Sequence, residues 1–147
     1  MGDIKTHKDL IVWQKSVILV TNIYKFTSTL PDSEKFWIIS QLRRAAVSIP
    51  TNIAEGAARH STKEFIQFIY ISLGSASEID TLLLIVGNLK YCEVNELSKL
   101  NLQTDEIKKI LTALIKSLKS TWLLPSLFTT HYSLVTVHYS FILWLLF

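Results

Sequence analysis

The feature that most constrains this chain is how rarely its helical rhythm is interrupted. Only three prolines, Pro31, Pro50 and Pro125, and four glycines, at 2, 56, 74 and 87, occur in 147 residues. Between them, apolar residues recur at steps of three and four, the spacing of one face of an α-helix. Four such stretches precede residue 121, and none alternates apolar with polar as a half-buried strand would. The spacing predicts an all-α fold, an antiparallel up-down four-helix bundle with a long, kinked second helix.

The first stretch covers residues 10–27. Leu10, Trp13, Val17, Val20 and Tyr24 step along one face, and Val12, Leu19, Ile23 and Phe26 form a second apolar side. Residues 27–31 read as a turn. The second helix is expected to start at Asp32 or Ser33, either of which can cap an N-terminus. It carries Phe36, Ile39, Leu42, Ala46, Ile49, Ile53 and Ala57 on its apolar face. Pro50 removes one backbone donor inside this rhythm, so a kink is expected there and not an end.

The third helix opens with a capping box from Ser61 to Glu64 and should run to about residue 90. Phe65, Ile69, Ala76, Ile79 and Leu83 lie on one side, and Phe68, Ile71, Leu82 and Val86 on another. A helix apolar nearly all round must be covered on more than one side. Gly74, Ser75 and Ser77 are small, so another backbone can approach there. Phe68, Ile71, Gly74, Ser75 and Leu82 are therefore the candidate oligomer interface. In the fourth stretch, residues 94–119, Ile107, Leu111, Leu114 and Leu118 make the seam, and Ile110 and Ile115 widen it. Residues 101–104 are a weak point where a turn could intervene.

Residues 1–120 therefore read as one four-helix bundle, and residues 121–147 as a different text. The tail has no Asp, Glu, Lys or Arg, and it holds two of the four tryptophans. Residues 127–133 and 134–140 repeat each other at five of seven positions. As a spanning helix the tail is poor, because its uninterrupted apolar run falls short of the roughly 20 residues required. An abrupt composition change with a short tandem repeat is expected of a shifted reading frame or a lost stop codon. Its β-rich, uncharged character would make it an aggregation hazard. No membrane contact is expected of residues 1–120.

No catalytic set emerges. There is no glycine-rich phosphate loop. Cys92 has no histidine three or four residues away, and His131 and His138 have no Cys, Asp or Glu in the tail to complete a metal site. Glu78 and Asp80, two apart, point to different helix faces. The expectation is a protein that is not an enzyme and that uses no cofactor or metal. A single cysteine permits no intramolecular disulfide and agrees with a reducing, cytoplasmic setting. Residues 1–9 are polar and lack the apolar core of a signal peptide. The apolar share, 49%, is rich for a monomer of this size and points to an interface. The net charge of +3 suits weak attraction to phosphate without demanding it.

The most informative segment is residues 41–59. On a helix, Arg44, Ser48, Thr51, Glu55 and Arg59 share a polar face opposite Leu42, Ile49 and Ile53. Two readings stand side by side. Arg43, Arg44 and Arg59, with Lys63 nearby, can offer donors to phosphate. Lys108, Lys116 and Lys119 form a second basic cluster on the fourth helix. Alternatively, Glu55 pairs with Arg59, and Arg44 neutralises Glu78 or Asp80 on a neighbouring helix. The first reading makes RNA or DNA the partner, and the second leaves a protein-interaction scaffold.

The run QLRRAAVSIPTNIAEG at residues 41–56 is long and specific. Together with residues 9–15, 61–65, Gly74, Ser75, 78–81 and 114–118, it resembles the bacterial 23S rRNA intervening-sequence protein family. The resemblance covers about residues 8–119 and departs at Trp37, where the family usually has a small residue. It implies an antiparallel four-helix bundle assembled as a ring-like homopentamer. The family is similar to the accessory variability protein of diversity-generating retroelements, a basic pentameric barrel that binds nucleic acid and a reverse transcriptase. The intervening-sequence branch has no well-established molecular activity, so its name reports gene location more than function.

Overall fold

The computed structural model describes the backbone of residues 6–145 and the side chains of residues 6–120. The repeat and the paired histidines of the tail lie outside the described side chains. Four helices are present, α1 (Ile11–Thr27), α2 (Ile38–Ala57), α3 (Thr62–Asn88) and α4 (Val94–Leu145), and there is no strand among the described residues. The chain divides into two units, Met1–Ile115 and Lys116–Phe147. The first unit contains the bundle.

Local chemistry sets most helix boundaries. A 3₁₀ turn at His7–Asp9 precedes α1, and the Thr6 amide donates to the Asp9 carboxylate at 2.8 Å. The expected start of α2 at Asp32 or Ser33 is corrected. Asp32–Glu34 forms only a 3₁₀ turn, and Trp37, at φ −112° and ψ −99°, is off the helical conformation. Capping side chains favour a start, but the backbone at Trp37 delays the helix to Ile38. Half of the expected α3 capping box forms: the Ser61 hydroxyl accepts from the Glu64 amide at 3.2 Å, while the Glu64 carboxylate accepts from the Ser61 hydroxyl at 2.7 Å and not from the Ser61 amide. After α3 the chain turns at Lys90, whose φ is 57°.

One side of each helix closes on a common core. From α1 come Val12, Leu19, Ile23 and Phe26, the second of its two apolar sides. Val17 and Tyr24, from the first side, are exposed. From α2 come Ile39, Leu42, Ala46, Ile49 and Ile53, while Phe36 is 82% exposed and falls outside the rhythm it was assigned to. α2 continues through Pro50, which is buried. From α4 come Leu100, Thr104, Ile107, Leu111 and Ile115. Leu100 and Thr104 carry the buried stripe through residues 101–104, and the Thr104 hydroxyl donates to the Leu100 carbonyl at 2.8 Å. No turn intervenes there.

α4 also passes the composition change at residue 121 and includes Pro125. Residues 121–145 are helical, not β-structured. Ser, Thr and aromatic residues each cost a helix only a few tenths of a kcal/mol, roughly, relative to better formers. That is too little to stop a helix already propagating.

α2 and α3 meet along small residues. A Cβ on Gly56 would lie 2.6 Å from the Phe68 Cβ and 2.9 Å from Phe65 Cδ2. The Ser72 hydroxyl donates to the Ile49 carbonyl at 3.1 Å, and the Ser48 and Ser75 hydroxyls are 2.8 Å apart. Residue numbers thus fall along α2 as they rise along α3, so the pair runs antiparallel. Gly87 against Leu97 and Asp80 against Lys108 make α3 and α4 antiparallel as well. The close backbone approach expected at Gly74 occurs instead at Gly56; a Cβ on Gly74 would meet nothing within 4 Å.

Among the described residues, α3 is the one helix long and apolar enough to cross a membrane. Ile69, Ser72, Ala76, Ile79, Leu83 and Val86 are buried in the bundle, and a core helix passes the same length and composition test.

Gly56→Ala separates two opposed effects. Alanine favours a helix over glycine by about 1 kcal/mol. Overpacking against a side-chain base that cannot swing away costs about 1–3 kcal/mol. The variant should therefore melt at a lower temperature than the parent, as read by circular dichroism. An unchanged or raised midpoint would show that α2 and α3 can separate freely at this point.

Candidate nucleic-acid interface

Arg43 and Arg44 follow one another on α2 and differ in burial. Arg43 is half-buried, because its Nε donates to the Thr27 hydroxyl at 2.8 Å and its guanidinium lies 4.8 Å from the centre of the Tyr24 ring. Thr27 is itself only 1% exposed, so the anchor is fixed. A guanidinium over an aromatic face is attracted by the ring quadrupole. Arg44 is exposed and has no ion-pair partner within 4 Å among the described residues.

Both arginines line an open groove of about 800 Å³. Tyr24 of α1, Lys35 and Phe36 from the turn before α2, and Glu78 of α3 line it as well. Lys35, Arg43 and Arg44 face a single carboxylate, Glu78. The floor includes Ser48 and Ser75. Asn52 Nδ2 donates to the Ser48 hydroxyl at 3.0 Å, and the Ser75 hydroxyl donates to the Ile71 carbonyl at 3.1 Å. Each hydroxyl has one proton, so Ser48 must donate to Ser75. This chain holds the floor in one arrangement.

The other sequence-predicted cations lie elsewhere. Arg59 lies just past the C-terminal end of α2, whereas Arg44 is in its second turn. Arg59 pairs with Glu55 and sits 5.0 Å from the centre of the Phe68 ring. That is the structural reading of Arg59. Lys63 is exposed beside the start of α3. Lys108 Nζ lies 2.9 Å from Asp80 and 3.3 Å from Asp105. Its pKa is raised, first by the hydrogen bond to Asp80. Lys108 is therefore engaged, and Asp80 takes this lysine in place of Arg44. Lys116 and Lys119 belong to the second unit. Within the first unit, Arg43 and Arg44 line one groove, and Arg59, Lys63 and Lys108 do not line it.

Sequence reasoning missed Lys35, Phe36 and Tyr24 as parts of the site. A lysine followed by two aromatics at a helix start was the available signal. Of the candidate interface residues, Ile71 and Gly74 are exposed, Phe68 and Leu82 are half-buried, and Ser75 is turned inward to Ser48.

Burial, then Glu96 and Glu93, push the Cys92 thiol up, away from the thiolate a nucleophile needs. Among the described residues no three His, Cys, Asp or Glu side chains gather to hold a metal.

Comparison with known proteins agrees with this fold. No curated protein matches the chain. A solved structure is similar over 72% of this chain and 96% of its own, with 28% identity and a TM-score of 0.68. It is a protein of unknown function from the S23 ribosomal protein family of Bacteroides thetaiotaomicron VPI-5482. The family model described as 23S rRNA-intervening sequence protein matches residues 8–113, which include α1, α2, α3 and the α4 core residues from Leu100 to Leu111. On that match, over most of its length, the chain belongs to the 23S rRNA-intervening sequence protein family.

Proposed function

We propose that this protein is a non-enzymatic, self-assembling helical bundle that holds nucleic acid, RNA first, through the groove on α2. The observation that carries the reading is Lys35 and Arg44, two exposed cations without an ion-pair partner among the described residues, beside a prepositioned Arg43. Cations already held by carboxylates contribute little to phosphate binding, because each pair must be broken first. Unpaired ones release counterions from the nucleic acid directly.

Self-assembly draws support from apolar surface that the bundle leaves uncovered. On α3, Ile71 is 51% and Leu84 64% exposed; on α1, Ile11 is 63% and Ile18 56% exposed. A ring of five copies, as the family resemblance implies, would multiply a small charge per chain into a large potential, and multivalency would raise affinity without new contacts. The proposed setting is the cytoplasm.

A protein-interaction scaffold without nucleic-acid contact is the second reading. Arg59 bound to Glu55, and Lys108 bound to Asp80, favour it.

Lys35→Ala/Arg44→Ala should leave the unfolding free energy within about 0.5 kcal/mol of the parent. It should weaken RNA binding and flatten the dependence of log K on log salt by about 1.4 for a single strand. Lys108→Ala should do the opposite, losing about 0.2–1 kcal/mol of stability with binding nearly intact. RNA binding that follows Lys108 and ignores Lys35 and Arg44 would move the interface off the groove. An absence of RNA binding at low salt would leave the scaffold reading. Separately, Ile71→Glu should reduce the mass measured by light scattering, because an exposed position tolerates charge in the monomer but not in an apolar interface. An unchanged mass would remove the outer face of α3 from the assembly.

A further inference from the structure

Phe36 and Trp37 are 82% and 73% exposed. A single exposed apolar residue needs no explanation, but two adjacent large aromatic ones do. They are not on the apolar stripe of α2. The backbone at Trp37 departs from the helix, so both precede the first helical residue, Ile38. Phe36 also lines the basic groove, with Lys35 before it and Arg43 and Arg44 one or two turns further on.

Exposed aromatic rings beside a groove of unpaired cations are the two parts of a single-strand binding surface. Cations track the phosphates, and rings take the faces of unstacked bases. A duplex offers no such faces. Its bases remain stacked on each other, and only phosphates and groove edges reach the protein. Charge complementarity selects the occupant, since Lys35, Arg43 and Arg44 outnumber Glu78.

We propose that the groove takes single-stranded nucleic acid, with bases stacked on Phe36 and Trp37 and phosphates on Lys35 and Arg44. This deepens the reading given above and rests on it. Arg43, anchored to Thr27 and Tyr24, positions the basic side of the groove.

The test uses the full chain, fluorescein-labelled U20 and a labelled RNA duplex of the same length, read by anisotropy at two salt concentrations. Parent protein should prefer the single strand. Phe36→Ala/Trp37→Ala should weaken U20 binding by about fivefold to a hundredfold per stacked base, leave duplex binding unchanged and leave the salt slope unchanged. Trp37→Phe, with Phe36 intact, should keep most of the U20 affinity, and Trp37→Leu should not. Both rings are exposed, so the melting midpoint should not move. Equal affinity for both RNAs, with the double variant unaffected, overturns the stacking proposal while nucleic-acid binding stands. Binding of neither RNA overturns both. A double variant that loses mass in light scattering yet binds U20 as the parent does also overturns it, and assigns the aromatics to contact with a second copy.

Discussion

The contact between Gly56 and Phe68 is the constraint on which the rest of the bundle depends. With no side chain at residue 56, α2 comes close enough for the Phe68 Cβ to occupy the space. That approach lets Ser72 reach the Ile49 carbonyl and Ser48 reach Ser75. These hydrogen bonds are directional, so they fix register as well as distance. In this register Ile49 and Ile53 point to the core, and Arg43 and Arg44 line the groove. The longest motif in the sequence, residues 41–56, is thus one physical unit. Its apolar residues, its serine and its glycine set the packing, and its arginines occupy what the packing leaves open.

Electrostatics then sorts the cations. The candidate cations look alike in the sequence, yet their surroundings differ. Arg59 and Lys108 each lie against a carboxylate, and partly exposed pairs of this kind contribute only about 0.2–1 kcal/mol. Arg43 is held by a hydroxyl and a ring, which fixes it without neutralising it. Arg44 lines the same groove as Lys35, with no ion-pair partner within 4 Å among the described residues. Small net charge at the level of the chain therefore conceals a local surplus, and it is the local surplus that a phosphate meets.

Much of this was legible in the sequence, because helices report themselves through local chemistry. Apolar spacing placed α1, α3 and the seam of Ile107 and Leu111, and Ser61 marked the start of α3. Tertiary choices were not legible. α1 has two apolar sides, and only the neighbouring helices decide that Leu19 and Ile23 go inside while Val17 and Tyr24 stay out. Gly74 and Gly56 look alike in the sequence, but only Gly56 faces another helix closely. Phe36 fits the rhythm of α2 by number, and Trp37 removes it by conformation. Lys35 joined the site for the same reason: the turn before α2, not the helix, carries it there.

The central claim is that nucleic acid occupies the groove at the start of α2 and not the paired basic sites. Photo-crosslinking the full chain to RNA containing 4-thiouridine, followed by mass spectrometry of the adducts, reads this directly. Adducts concentrated on residues 35–44 are the predicted result. Adducts confined to residues 59–63 or to Lys108, with none on Lys35, Phe36, Trp37, Arg43 or Arg44, would contradict it.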